Sequence, residues 1–466
     1  MKSFAAVIIL ALSFIGAAFA QDEGVDLTVY NQNFALVKDR RFMEIPKGVN
    51  EVRFTDVASQ IEPTSVHFKS LTDPKGCVIQ EQNYEYDLVG ATKLLFKYID
   101  KKIKILAAGG TVYEGVLMSY DGDSIVLSQG ATKSLSMVVF KDNIKNIDFP
   151  ELPEGLVTKP TLMWRVSNDK QGRHLTEVTY LTNGVTWLCD YVAVVNDIDT
   201  KIDLSGWVTI DNKSGSAYKN AGLKLMAGDV HRVQESYRRE NMAMAKAAQG
   251  GADQFQEKSF FEYHMYTLQR KTTVKNNQTK QVTLFSASDI PVKKLFLFDP
   301  ALYGWWIYYN DVDSSKAQKI KVKLEIENIQ KNNLGMPLPK GKIKVYKRDT
   351  DGSLEFIGED SIDHTPKDEK FRIYLGDAFD IVGERKKVDF KKYGNSADET
   401  VEISLRNHKS EDIEVAVVEH MWRYNNWDIT AKTHEYTKKD AGTIEFKVPV
   451  PKNGETKINY TVHYSW

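Results

Sequence analysis

The sequence predicts an all-β, multidomain protein, and three observations carry that expectation. The stretch "KIKVKLEIENI" (319–329) puts Ile320, Val322, Leu324 and Ile326 on one face and Lys321, Lys323, Glu325 and Glu327 on the other. That period of two is the pattern of a half-buried strand. Similar runs recur along the chain, among them "LTVYNQNFALV", "LSGWVTID", "KQVTLFSA", "KIKVYKR", "VEISLRN", "IEVAVVEHMW" and "TIEFKVPV". Turn pairs punctuate them, and Asn183-Gly184, Asp351-Gly352 and Asn453-Gly454 suit tight hairpins. Many short strands with such punctuation argue for antiparallel β-sandwich domains or barrels. A chain of 466 residues exceeds what one core usually holds, so two to four domains are expected.

Residues 1–20 read as an export signal peptide. Lys2 supplies the positive start, Phe4 to Ile15 a short apolar core, and Ala18-Phe19-Ala20 a small-x-small cleavage site. The apolar run is too short for a membrane-spanning helix, which needs roughly 20 apolar residues. No later stretch is long and apolar enough to span as a helix, so no transmembrane segment is expected in the mature chain. The expected location is periplasmic or extracellular.

Residues 21–93 read as an N-terminal β domain. Residues 94–149 read as a small SH3-like barrel of five short strands, with Gly109-Gly110 and Asp121-Gly122 as turns. Gly115 falls in mid-strand, where such a barrel bends. Its apolar positions, including Ile103, Ile105, Val116, Leu117, Ile125 and Leu127, are spread over successive strands as a closed sheet requires. Residues 150–160 form a proline-bearing linker. Residues 161–310 read as a β-sandwich domain carrying one short helical insertion at 234–260, which is Ala- and charge-rich and broken at Gly250-Gly251. Residues 311–466 read as a C-terminal β-sandwich domain. Its ending "INYTVHYSW" aligns Ile458, Tyr460, Val462, Tyr464 and Trp466 on one face, as a closing strand.

Charge narrows the partners. The chain has 62 Lys and Arg against 63 Asp and Glu. That balance exerts no long-range pull toward nucleic acid, so nucleic acid is not an expected partner despite the shape of the small barrel. Two cysteines, Cys77 and Cys189, cannot make a disulfide framework, and unpaired, partly buried thiols are the expectation.

Several of these runs resemble exported bacterial β-rich proteins of unknown function related to mucoidy inhibitor A. The resemblance lies in "LTVYNQNFALVKDRR", "YLTNGVTWLCDYVAVVN", "LSGWVTIDNKSGSAYKNAGLKLMAGDV", "PLPKGKIKVYKRDTDGSLEFIGEDSIDHTPKDEKFRIYLGDAFDI" and "NYTVHYSW". It covers about residues 26–68 and 160–466. It implies export and a β-rich fold, and it brings no catalytic residues. Many such proteins place long coiled-coil helices after the first domain, where this chain has the small barrel.

Motifs for chemistry each meet an ordinary competitor. "GDSI" (122–125) would need a base three residues after an Asp, and none of the nine histidines is so placed; a turn explains it. "HEYTK" (434–438) has Lys438 where a zinc helix needs its second His. "DTDG" (349–352) suits a hairpin turn better than a calcium loop. No metal site and no cofactor are therefore expected. The strongest polar cluster, "GEDSIDHTPKDEK" (358–370), holds Glu359, Asp360, Asp363, His364, Asp368 and Glu369. Its carboxylates could serve glycosidic cleavage or hold a cation, while the competing reading is a solvated connection between strands.

The run "LYGWWIYYND" (302–311) holds five aromatic rings between Tyr303 and Tyr309. Read as a strand, it puts Tyr303, Trp305, Ile307 and Tyr309 on one face and Trp306 and Tyr308 on the other. The first face would seal a domain interface, leaving Trp306 and Tyr308 as candidates to stack on a glycan or peptide.

The functional expectation is a non-catalytic exported protein that binds an envelope protein or polysaccharide. The alternatives are a structural or assembly factor for envelope components and a glycan-active hydrolase using carboxylates of 359–369. Export makes the first testable statement: N-terminal sequencing of protein recovered outside the cytoplasm should begin at Gln21, and retained Met1 would refute it.

Overall fold

The computed structural model describes residues 23–129, 134–139, 144–153, 155–228, 230–232, 255–304, 308 and 317–466. The protein is all-β and multidomain, with 67% of the described residues in strands and 4% in helix. Four sheets account for it. An eight-stranded sheet runs in the order Phe255–Phe260, Tyr263–Leu268, Tyr218–Ala227, Gly24–Tyr30, Phe34–Ile45, Gly172–Asn183, His67–Ser70, with Thr272–Val274 also paired to Tyr218–Ala227. A three-stranded sheet places Thr161–Asn168 between Gly48–Thr55 and Cys77–Glu85. The largest sheet has 13 strands and runs through the rest of the chain to Gly454–Ser465.

The buried clusters divide the chain differently from its linear reading. One large core joins Leu27, Val37 and Phe54 to Trp164, Trp187, Leu204, Leu284, Ile326 and Ile373. Residues 21–93 thus share a core with residues after 160, and Gly24–Tyr30 pairs in parallel with Tyr218–Ala227. Alternation shows which residues face inward, but a strand's partner lies in another part of the chain. A second core spans Phe298, Ile320 and residues from Ala378 to Tyr464. The change of core therefore falls along the strands rather than at residue 310. Two long strands cross it, Gln278–Phe298 with 21 residues and Lys370–Tyr393 with 24.

The segment expected as a barrel has its own core of Leu95, Tyr98, Ile103, Ile105, Leu117, Ile125, Leu127 and Val138. Its sheet order is Ile144–Asp148, Lys102–Ala107, Val112–Tyr120, Ser124–Gln129, Ser134–Val139. Gly115 lies where a side chain would strike the Ser128 carbonyl, and register slips just after it, between Leu117 and Ser119. The "GDSI" letters are a turn, in which Asp121 accepts from the backbone N–H groups of Asp123 and Ser124.

Three local expectations are corrected. Phe255–Phe260, the described part of the helical insertion, is a strand paired to Tyr263–Leu268; its other residues, 234–254, lie outside the described residues. Cross-strand partners outweigh helix propensity there. Among the described residues the α-helix is Ala91–Lys97, which buries Leu95 in the core of the five-stranded sheet. Asn183-Gly184 and Asn453-Gly454 are not hairpins. Asn183-Gly184 carries the chain from the eight-stranded sheet into the 13-stranded one, and Asn453-Gly454 joins two strands of the 13-stranded sheet, Thr443–Val450 and Gly454–Ser465, that pair with different neighbours. Only Asp351-Gly352 of the three turns joins two paired strands. Three pairings are parallel, including Val185–Val195 with Gly341–Arg348.

A recurrent polar device closes the ends of the sandwiches. Asn168, Asn212, Asn328 and Asn407 are each buried at or just past a strand end, and each donates its amide to backbone carbonyls of separate loops. Asn212 and Asn407 also accept from the backbone N–H two residues on. Loop carbonyls turned inward need such partners, because a buried carbonyl without one costs about 1–3 kcal/mol. Asn407→Ala should therefore lower unfolding free energy by about 3 kcal/mol in denaturant titration. Asn407→Asp should be no milder, because a carboxylate of the same shape faces carbonyls instead of donating to them.

Candidate functional site

The structure disperses the acidic cluster. Glu359 and Asp360 lie within the strand Leu354–Ile362 rather than in a loop. Glu359 pairs with Lys342 at 3.4 Å. Asp360 accepts the Tyr374 backbone N–H at 2.7 Å, tying this edge strand to Lys370–Tyr393. Gly358 allows that approach, since a Cβ there would lie 2.6 Å from the Leu375 carbonyl oxygen. His364 accepts from the Lys340 backbone N–H, and the Asp363 carbonyl accepts the Thr365 hydroxyl. Asp368 takes a left-handed conformation and donates its N–H to Asn328, whose own N–H bonds the Glu369 carbonyl. Among the described residues, no group of three His, Cys, Asp or Glu side chains is arranged to hold a metal ion.

The described residues of the aromatic run are not a strand. Pro300–Tyr303 is a 3-10 turn capped by Asp299, whose carboxylate accepts from the Ala301 N–H. The Asp-Pro pair was the signal for it, since proline cannot donate to a ladder and suits the first helical position. Trp305 and Trp306 lie outside the described residues. Tyr308 is 3% exposed and so presents no face for a glycan to stack on. Its ring lies edge-on to His420 and Trp422, with the Arg385 guanidinium 4.8 Å from its centre.

Tyr308 covers a buried ionic cluster. Arg385 donates through Nε to Glu419 at 2.9 Å and lies 3.8 Å from Glu399. Arg423 donates to Glu399 at 3.0 Å, Lys387 lies 3.8 Å from it, and the Tyr460 hydroxyl donates to Glu419. Burial holds the Tyr460 hydroxyl pKa well above its ordinary value, so it stays a neutral donor. The signal was legible in phase. Glu399 falls in step with Ala397, Val401, Ile403 and Leu405, and Glu419 in step with Ile413, Val415 and Val417. With Glu399 2% and Glu419 0% exposed, neither carboxylate can meet a substrate.

An accessible site lies elsewhere, between the two cores. The strand Lys370–Tyr393 loses register twice against Gln318–Glu327, and residues 378–381 bow outward opposite Ile320. The bend opens a cleft of ≈ 320 Å³ floored by Phe296, Val322, Leu375 and Ile381. Gly376 is on its lining with φ 140°, and a Cβ there would meet nothing within 4 Å. Lys294, Lys347, Lys409 and Asp199 stand around the floor. Lys294 reaches Asp199 at 2.7 Å and Lys347 pairs with its other oxygen. Burial alone would raise the Asp199 pKa, but hydrogen bonds from the two ammonium groups override it and hold the carboxyl below its ordinary value.

Most of these elements lie in one block of sequence. A family model described as a domain of unknown function, DUF4139, matches residues 176–466. The chain belongs to the DUF4139 family. A search of curated protein sequences found no match. The DUF4139 match takes in the ionic cluster and all the cleft residues named above. It excludes the small barrel and the strands from Gly24 to Ser70. No helix among the described residues is long and apolar enough to cross a membrane.

Cys189 is free and fully buried, and burial pushes its thiol up to about 12; Cys77 is likewise free and buried.

The ionic cluster yields a stability test. Arg385→Met strands Glu419 without its guanidinium and should cost about 3–5 kcal/mol in denaturant unfolding. Adding Glu419→Gln should restore part of the loss, because the buried charge is then removed.

Proposed function

We propose that this DUF4139 protein is a non-catalytic, exported binding protein of the cell envelope or extracellular space, and that its ligand, on a protein partner or a polysaccharide, enters the cleft between the two cores. The observation that carries this reading is the cleft itself: a concave, largely apolar site with a few convergent charged groups at a junction of cores, the usual setting of a binding site. Export is supported by Lys2, the apolar run Phe4 to Ile15 and the Ala18-Phe19-Ala20 site. The resemblance to exported proteins related to mucoidy inhibitor A also supports export. The hydrolase alternative draws less support, since Glu359 and Asp360 are engaged by Lys342 and the Tyr374 backbone.

Val322 is half-buried on the cleft floor, so Val322→Trp fills the space from a position that is not deep in either core. In a capture assay of the full chain against cell-envelope fractions, this variant should lose the component that the wild type retains, at a closely similar melting temperature. Undiminished capture by a folded Val322→Trp protein would refute the cleft as the binding site. An assembly factor would instead recover envelope proteins in both forms.

A further inference from the structure

The charges of the cleft are graded by depth. Lys294, Lys347 and Lys409 are 30%, 33% and 26% exposed. Asp199, at 25%, is the carboxylate of comparable depth on the lining, and two of the three lysines share it. Lys409 pairs with Glu411, which is 62% exposed and stands in solvent. The remaining acids on the lining, Asp377 and Asp380, are exposed; Asp377 is also engaged by the Tyr374 hydroxyl at 2.9 Å and by Lys321 at 3.9 Å. The three ammonium groups are therefore met by one half-buried carboxylate, Asp199, and one exposed carboxylate, Glu411, which leaves one positive charge in excess beside an apolar floor. Positive charge held against apolar walls is costly unless an anion meets it.

The apolar part is placed to continue from that charge. The Lys294 and Lys409 ammonium groups lie 5.6 and 5.4 Å from the Phe296 ring centre, so charge and floor meet at one residue. Away from them the outward bow carries Phe379, 84% exposed, onto the lip of the cleft. A large apolar ring left in water at the mouth of an apolar cleft extends the same surface outward.

Resting on the reading that the ligand enters this cleft, we infer that the entering moiety is an anionic amphiphile. Its apolar chain lies on Phe296, Val322 and Leu375, and a single carboxylate or phosphate sits among Lys294, Lys347 and Lys409. The volume, at the small end of ligand sites, suits one chain and one head group. A bare sugar ring fits less well, because its hydroxyls would lie against an apolar floor without partners.

The test is calorimetric titration of the full chain with dodecanoate, dodecyl phosphate, dodecanol and dodecyltrimethylammonium, each below its micelle concentration. One or both anions should bind one per chain, with dodecanol weaker by about ten-fold or more, as the loss of a charged hydrogen bond implies. The cation should not bind. Preference for dodecanoate points to a fatty-acid carboxylate, and preference for dodecyl phosphate to a lipid phosphate. Lys409→Glu should abolish anion binding, and Val322→Trp should do so without changing the charge. Equal binding of dodecanol and the anions would overturn the inference, as would anion binding that Lys409→Glu leaves intact. If neither anion binds while Val322→Trp still abolishes capture of envelope material, the amphiphile is refuted and the cleft reading stands. If the anions bind as expected but capture survives Val322→Trp, the amphiphile site stands and the cleft reading of envelope capture falls.

Discussion

The architecture depends on two strands that must each satisfy two cores. Gln278–Phe298 buries Val282, Leu284 and Ile290 in the first core and Phe298 in the second. Lys370–Tyr393 buries Phe371 and Ile373 in the first, then Ala378 and Ile381 in the second. A strand of ideal pleat keeps one set of side chains on one face, so feeding two differently oriented interiors requires a break in register. The structure provides it as bulges, with Gly376 in the left-handed half of backbone space between them. Backbone that bows away from its neighbour leaves space beneath. The cleft is thus a consequence of how the two cores are joined, and its lining comes from strands that each core holds in place.

Polar groups in the interior give these sheets their fixed relation to one another. The four buried asparagines bond carbonyls from loops far apart in sequence; Asn407, for example, links its own loop to Val450 and Pro451. Its carbonyl oxygen also accepts the Lys409 N–H, which sets the backbone from which that lysine reaches the cleft. The His408 N–H bonds the Asp380 carbonyl, so the same loop is tied to the bowed segment. The Arg385 cluster acts deeper in the second sandwich, where it joins Lys370–Tyr393, Ser396–Asn407, Ile413–His420 and Gly454–Ser465. A charged group in that interior is tolerable only with its partners present. Alternative registers of those strands would therefore separate charges as well as misplace apolar side chains.

Much of the fold was legible one strand at a time. Ile320, Leu324 and Ile326 are buried as their alternation required, and the closing strand buries Ile458, Tyr460, Val462 and Tyr464. The terminal Trp466 remains 44% exposed and stacks on Tyr424. Readings that depended on a neighbour fared differently. An Asn-Gly pair fits a turn that reverses a strand within one sheet, and equally a turn that passes it to the facing sheet. Alternation over 302–311 groups Tyr308 with Trp306 on an outer face, but a turn capped by Asp299 leads into that run and Tyr308 itself is buried. The lysines of the cleft carried no local signal, for in sequence they read as ordinary solvated charges.

By itself the sequence determined the class of fold, the inward face of most strands, and residues 94–149 as a five-stranded unit with its own core. It also held the buried charges in view, since Glu399 and Glu419 stand in phase with apolar neighbours. These are properties of side-chain spacing along one strand, and spacing is local. Tertiary structure alone decided that residues near the N-terminus complete a sheet with Tyr218–Ala227, that carboxylates at 359 and 360 are tied up rather than gathered, and that Lys294, Lys347 and Lys409 converge. Each is a meeting of residues from separate strands. Such meetings follow from strand partners and register, and a pattern of alternation leaves both open because every strand repeats the same period.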